Sequence, residues 1–178
     1  MPRTALLIFV SCLTLSADAS PDDAIQKELA RLSIPAKLVP PDKQPLFLIR
    51  AAGVQTYTAE EREGMLQWAA ASVPEATLWD YQTAQRVGTH SKGPVWVDND
   101  GSTLKGDMST VVKEPSPNAH AVAWLMLAVK SDGKGRLAKV THVQRVDTWG
   151  GRAVGAPTKA GEMQSVQYQA TYVLLGDR

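Results

Sequence analysis

The chain has 178 residues, and its 19 lysines and arginines nearly balance its 18 aspartates and glutamates, so the formal net charge is +1. This balance provides no basic field for a phosphate backbone, and we therefore predict no nucleic-acid partner. With Cys12 as its single cysteine, the chain has neither an intramolecular disulfide nor a cluster of thiolate metal ligands.

The first residues have the pattern of a secretory signal peptide. Arg3 precedes an apolar run over 5–15, and Ala17-Asp18-Ala19 places small residues where signal peptidase requires them. We predict a cleaved signal peptide over 1–19 and a periplasmic or secreted protein. An uncleaved anchor and lipidation of Cys12 are the alternatives. No later apolar run reaches about 18 residues, so no membrane span is expected after cleavage.

Residues 20–45 are predicted to form a helix followed by a proline-rich lead-in. Ser20 is a good N-cap, and Pro21 suits the first helical position. Ile25, Leu29 and Leu32 then recur at helical spacing, which indicates an amphipathic helix. Four prolines between 35 and 45 impose an extended, irregular chain.

From residue 46 onward, short apolar runs alternate with turn residues. The predicted strands are 46–52, 54–58, 76–79, 85–89, 95–97, 102–112, 121–130, 137–148 and 165–175. The last alternates apolar and polar residues, as a half-buried strand does, whereas 121–129 is apolar on both faces and is expected to be central. The pattern predicts one all-β domain over 46–178, an antiparallel β-sandwich or barrel preceded by one short helix.

An ordered set of motifs resembles the domain-of-unknown-function family numbered 3455. The motifs are Gly53-Val54-Gln55-Thr56-Tyr57, Trp68, Pro74-Glu75-Ala76-Thr77-Leu78, Val87-Gly88-Thr89-His90, Gly93-Pro94-Val95-Trp96, Asp100-Gly101-Ser102, Trp124-Leu125 and Val143-Gln144-Arg145-Val146-Asp147-Thr148-Trp149-Gly150-Gly151. The resemblance covers roughly 46–175 and implies an exported, β-rich protein, with no particular activity.

The chain departs from the pattern of that family at two cysteines. The family pattern has one cysteine at the position of Ala59 and another within 153–161, and this chain has neither. Their joint loss is consistent with a disulfide replaced by other packing.

The resemblance also bears on the secondary structure of 58–71, where Thr58 and Glu61 favour a helix but Gly64 interrupts it. We favour a strand there.

Three histidines and one acidic loop are candidates for chemistry. His120 and His142 lack a second ligand at metal-binding spacing, and His90 lies in a turn rich in glycine and proline. The segment Asp98-Asn99-Asp100-Gly101-Ser102 lacks the glutamate of an EF-hand loop and is predicted to be a tight turn. We therefore predict no metal, no cofactor and no catalytic residue. The alternative is a small hydrolase with His90 as general base.

Five tryptophans carry the functional hypothesis. Trp124 lies in the doubly apolar strand and is expected in the core, whereas Trp96 and Trp149 adjoin turns that contain charged residues. Exposed indoles beside aspartates and arginines can stack on sugars or anchor peptides. We predict a monomeric, non-enzymatic envelope or extracellular module that binds a glycan or a protein. The predicted binding residues are His90, Trp96, Asp100, Arg145 and Trp149.

Overall fold

The computed structural model describes residues 21–178, so the predicted signal peptide (1–19) and the Ser20 cap lie outside the described residues. Helix α1 spans Pro21–Leu32, and short 3-10 helices span Ala36–Leu38 and Met108–Thr110. The strands are β1 (Lys43–Arg62), β2 (Met65–Trp68), β3 (Val73–Asp80), β4 (Arg86–Ser91), β5 (Val95–Asp98), β6 (Thr103–Gly106), β7 (Val112–Glu114), β8 (Trp124–Ser131), β9 (His142–Gly150) and β10 (Met163–Asp177). The predicted all-β class with one N-terminal α-helix is confirmed.

Eight of the ten strands in this range close into a barrel. β1, β3, β4, β5, β6, β8, β9 and β10 follow one another around an antiparallel sheet, and β10 pairs back onto β1. That closing register is long, from Lys43 opposite Asp177 to Thr58 opposite Met163. β2 pairs with the end of β1, and β7 pairs with β8. The structure therefore selects a barrel over a sandwich.

β1 is one continuous strand where the sequence predicted two strands separated at Gly53. A Cβ at this glycine would lie only 2.0 Å from the carbonyl oxygen of Glu75 on β3. Gly53 is needed because two backbones approach closely, not because the chain turns.

The strand structure predicted for 58–71 is confirmed. β1 ends at Arg62, the chain turns at Glu63 and Gly64, and β2 begins at Met65.

Two other predicted strands are shorter in the structure. Within 102–112, the Asp107 carboxylate accepts a hydrogen bond from Ser109 N at 2.9 Å and caps a 3-10 helix that separates β6 from β7. Within 137–148, the chain turns over 137–141 and β9 begins only at His142. Leu137 and Val140 of that turn are buried in the interior of the barrel.

The barrel has an apolar interior and a second apolar cluster outside it. The outer cluster forms where Ile25 and Leu32 of α1 pack with Leu38 against residues of β1, β8, β9 and β10, including Val173. The predicted amphipathic helix is thus confirmed, and it ends where Ser33 adopts φ +48°. Because this cluster covers its outer face, β10 is buried on both faces over 170–176, not half-buried as predicted.

The two segments that carry cysteines in the family pattern lie side by side in this chain. Ala59 N donates to the carbonyl oxygen of Glu162 at 2.7 Å, and Gly161 N donates to that of Ala59 at 2.9 Å. Backbone hydrogen bonds therefore join these segments here. Neither α1 nor any other helix within 21–178 is long and apolar enough to cross a membrane.

Candidate ligand-binding cavity

One end of the barrel opens into a cavity of about 820 Å³. The connections at this end are 69–72, 92–94, 107–123 and 151–162, and each contributes lining residues to the cavity. The inner wall comes from strand residues such as Gln55, His90, Leu125, Arg145 and Tyr172. An eight-stranded barrel is the size at which the interior is either filled by side chains or holds one small ligand.

Three aromatic rings form the polarisable part of the inner wall. His90 and Trp96 are directly opposite each other on β4 and β5, and their rings stack at 4.4 Å between centroids with 15° between planes. Tyr172 of β10 meets both rings edge-on, at 5.4 Å and 5.7 Å. The short turn between β4 and β5 brings the first pair together, and barrel closure adds Tyr172.

His90 is a neutral imidazole at physiological pH. Burial lowers its pKa to about 4, with a further lowering from the Arg145 charge and an opposing effect from the hydrogen bond to Val95. Nδ1 lies 2.9 Å from the Val95 carbonyl oxygen. A carbonyl can only accept, so Nδ1 carries the proton and Nε2 is left as an acceptor.

Arg145 places a cation on the inner wall. It lies on β9 opposite Tyr172 of β10 and is half-buried. Its Nη2 and Nε donate to the carbonyl oxygen of Ala123 at 2.8 and 3.2 Å, which orients the guanidinium. Burial raises the pKa of Tyr172, although Arg145 opposes this effect, so the phenol stays neutral.

Two residues on the cavity wall carry buried donors that make no well-formed hydrogen bond among the described residues. The donors are Gln55 Nε2 and Trp96 Nε1, and the two side chains are only 1% and 3% exposed. Gln55 also has the Tyr168 phenol as a polar neighbour, and the phenol oxygen itself makes no well-formed hydrogen bond. The other end of the Gln55 amide is satisfied, because its Oε1 accepts from Ser72 Oγ at 2.6 Å. A buried donor without a partner is costly, which marks positions where a ligand acceptor is favourable.

The structure brings three of the five predicted binding residues together and leaves two apart. His90, Trp96 and Arg145 line the cavity, and Trp96 is buried, contrary to the predicted exposed indole. Trp149 is 62% exposed on β9 and is not among the lining residues. Within β9, Trp149 comes two residues after a backbone irregularity at Asp147, where φ is +49°.

Asp100 lies at the opposite end of the barrel, in the turn between β5 and β6. Gly101 N donates to the Asp98 carbonyl at 3.0 Å, so the predicted tight turn is confirmed. The Asp100 carboxylate accepts from Ser102 Oγ at 2.5 Å, from Arg136 N at 2.6 Å and from Ser102 N at 2.8 Å, and these bonds lower its pKa. Asp100 therefore holds the 132–141 loop against this end of the barrel.

Sequence reasoning missed Gln55 and Tyr172. On β1, Gly53, Gln55 and Tyr57 occupy alternate positions and share one face, so a polar Gln55 on an inward face was the available signal. Tyr172 belonged to the predicted apolar face of the last strand, but only closure of the barrel places it against His90. Three further cations, Lys92, Lys113 and Arg152, lie at the rim of the cavity. Lys113 belongs to β7 and the other two to separate connections, so they leave no local sequence pattern.

Comparison with known proteins agrees with the sequence motifs. No curated protein and no solved structure matches the chain significantly. One family model matches residues 40–176, which includes all ten strands except the last residue of β10. The chain belongs to the family described as Protein of unknown function (DUF3455), which confirms the resemblance seen in its motifs.

Proposed function

We propose that this protein is an exported binding barrel that holds a small, mostly apolar molecule inside its cavity. The observation that carries this proposal is the cavity of about 820 Å³ within a closed barrel. Its volume falls in the range of small-molecule sites, and its wall combines aliphatic and aromatic side chains with a few polar groups. This composition is typical of sites that bury most of their ligand's surface.

An interior ligand fits the tryptophans better than a glycan or protein bound at the surface. Trp96 is buried between neighbouring strands, so its indole faces the cavity and not a surface partner. Trp149 is exposed but stands apart from the aromatic trio. The predicted binding residues therefore support a small molecule more strongly than a macromolecule.

The geometry favours binding over hydrolysis by His90. A general base works best when its pKa lies near the operating pH, and the pKa of His90 is about 4. Its Nδ1 is directed to a backbone carbonyl and not to a carboxylate that would support an imidazolium. A neutral, stacked imidazole is suited to contact a ligand.

Export remains part of the proposal and rests on the sequence of residues 1–19. It is tested by isolating the protein from the cell envelope or the medium and sequencing its N-terminus. The expected first residue is Ser20. An intact Met1, or a lipid mass on Cys12, would contradict it.

Ligand binding is tested with N-phenyl-1-naphthylamine, a neutral apolar probe whose fluorescence rises in a dry site. We expect saturable binding at one site per chain. Leu125→Trp narrows the cavity, because Leu125 lies on its wall. This substitution should lower the affinity for the probe by about tenfold or more. Val97→Trp is the control, because Val97 is exposed and is not among the lining residues. Unsaturable binding, or an equal effect of both variants, would contradict an interior site.

A further inference from the structure

We propose that the ligand is an amphipathic monocarboxylate, with an apolar body in the cavity and its anionic group at Arg145. This inference rests on the proposed function and adds the chemical class of the ligand. Its basis is the charge and the hydrogen-bonding capacity of the cavity wall.

The cavity is lined by four cations and by no aspartate or glutamate among the described residues. Arg145 is on the inner wall, whereas Lys92, Lys113 and Arg152 are exposed at the rim. The nearest acid in sequence to Lys113 is Glu114, and it forms an ion pair with Lys37 at 3.0 Å. Since the whole chain carries a net charge of only +1, this concentration of positive charge is local.

Arg145 is the charged group of the inner wall. The titratable side chains that interact with it, His90, Tyr168 and Tyr172, are all neutral at physiological pH, because burial lowers the pKa of His90 and raises the pKa of both tyrosines. The contact that orients Arg145 is a neutral carbonyl, that of Ala123. Within residues 21–178, Arg145 forms no salt bridge and no acidic side chain lines its cavity. A half-buried cation in this situation is unfavourable, and a ligand carboxylate would compensate its charge through charge-assisted hydrogen bonds.

The unpartnered polar atoms on the wall lead to the same class of ligand. Trp96 Nε1 and Gln55 Nε2 are donors on two buried residues that line the same cavity as Arg145, and of the two only Gln55 has a polar neighbour, the Tyr168 phenol. Donors require acceptor atoms, and a carboxylate offers two oxygens with several lone pairs. Most of the remaining wall is apolar, as at Pro94, Leu125 and Leu127. An acceptor-rich anionic group on an apolar body satisfies both parts of the wall.

The test compares three probes that share one apolar chain and differ in charge: decanoate, 1-decanol and decylammonium. Calorimetric titration of the folded, processed protein should rank decanoate first, about tenfold tighter than decanol, with decylammonium weakest. The comparison needs no variant, so it stands even if a substitution impairs folding. Equal binding of decanoate and decanol would overturn the anionic ligand and leave the proposed binding barrel intact.

Failure of all three probes together with N-phenyl-1-naphthylamine would instead overturn the proposed function itself. The two proposals therefore fail in different ways, and the neutral probe separates them.

Variants locate the anionic group. Arg145→Gln should abolish the advantage of decanoate over decanol, and Gln55→Met, which removes a donor at similar size, should reduce it several-fold. Lys105→Gln is the charge-matched control for Arg145→Gln, and Lys105→Gln with Lys130→Gln is the control for a double variant at the rim, because these paired, exposed lysines do not line the cavity. If Lys92→Gln with Lys113→Gln removes the advantage and Arg145→Gln does not, the anion binds at the rim and the assignment to Arg145 is wrong.

Discussion

His90 shows how a single residue connects the cavity to the stability of the protein. Its folded-state pKa, about 4, lies below the ordinary value of 6.5. Between these values the unfolded chain binds a proton that the folded chain does not. The contribution of His90 to stability is therefore unchanged above pH 6.5 and falls as the pH drops towards 4, by about 3 kcal/mol in total.

We expect His90→Phe, which keeps an aromatic ring beside Trp96, to remove this part of the acid sensitivity. Urea unfolding at pH 7, 5.5 and 4 measures the free energy of unfolding for both proteins. The carboxylates titrate in both proteins, so the difference between their slopes of unfolding free energy against pH reports the titration of His90. Equal slopes in the two proteins would show that burial does not hold the imidazole neutral.

Gly101 is required by backbone conformation and not by space. Its φ is +86°, and an added Cβ would meet nothing within 4 Å. We predict that Gly101→Val lowers the free energy of unfolding by about 1–3 kcal/mol, because a β-branched residue is strained there. Gly101→Asn should cost less, since asparagine tolerates the left-handed region. If urea unfolding shows the same loss of unfolding free energy for Gly101→Val and Gly101→Asn, backbone strain is not the cause.

At the scale of elements, the segment that links α1 to the barrel seals the outer apolar cluster. Leu38 is fully buried against it, and its carbonyl accepts a hydrogen bond from Gln144 Nε2. Val39, the next residue, is 49% exposed. The pair offers a matched comparison between a buried and an exposed side chain of the same 3-10 turn.

We expect Leu38→Ala to lower the free energy of unfolding by about 2–5 kcal/mol through a cavity in the outer cluster. Val39→Ala should change it by less than about 0.5 kcal/mol. Thermal and urea unfolding check both. Similar small losses would mean that the helix and its linker contribute little to the stability of the barrel.

For the whole molecule, the pairing of β1 with β10 is decisive because it closes the sheet. The paired registers are separated by more than one hundred residues in sequence, and they leave the eight-stranded ring without a free edge. The open end of the cavity is built differently, from long connections such as 107–123, in which regular structure is limited to one 3-10 turn and the short strand β7. Stability should therefore be unequal along the chain.

Hydrogen exchange followed by mass spectrometry tests this difference. Amides of β1 and β10 that pair across the closure should exchange slowest, and those of 107–123 much faster. A bound carboxylate should slow exchange in 107–123, whose residues line the cavity, and leave β10 nearly unchanged. Uniform exchange along the chain would contradict closure through β1 and β10 as the most stable part.

The sequence by itself determined the β-rich class, the amphipathic helix, the tight turn at Gly101 and the family, because each depends on local periodicity, turn chemistry or ordered motifs. It also identified three residues of the cavity wall, His90, Trp96 and Arg145. His90 and Trp96 could be predicted as neighbours because a short turn joins their strands.

Only the tertiary structure decided that the sheet closes, which face of each strand is inside, and that Asp100 and Trp149 lie away from the cavity. Alternation with a period of two looks the same for an inner and an outer face. Burial of the second half of β10 on both sides depends on the outer cluster to which α1 contributes, and the contact of Tyr172 with His90 depends on distant strands. Long-range pairing sets these features, and no local pattern encodes it.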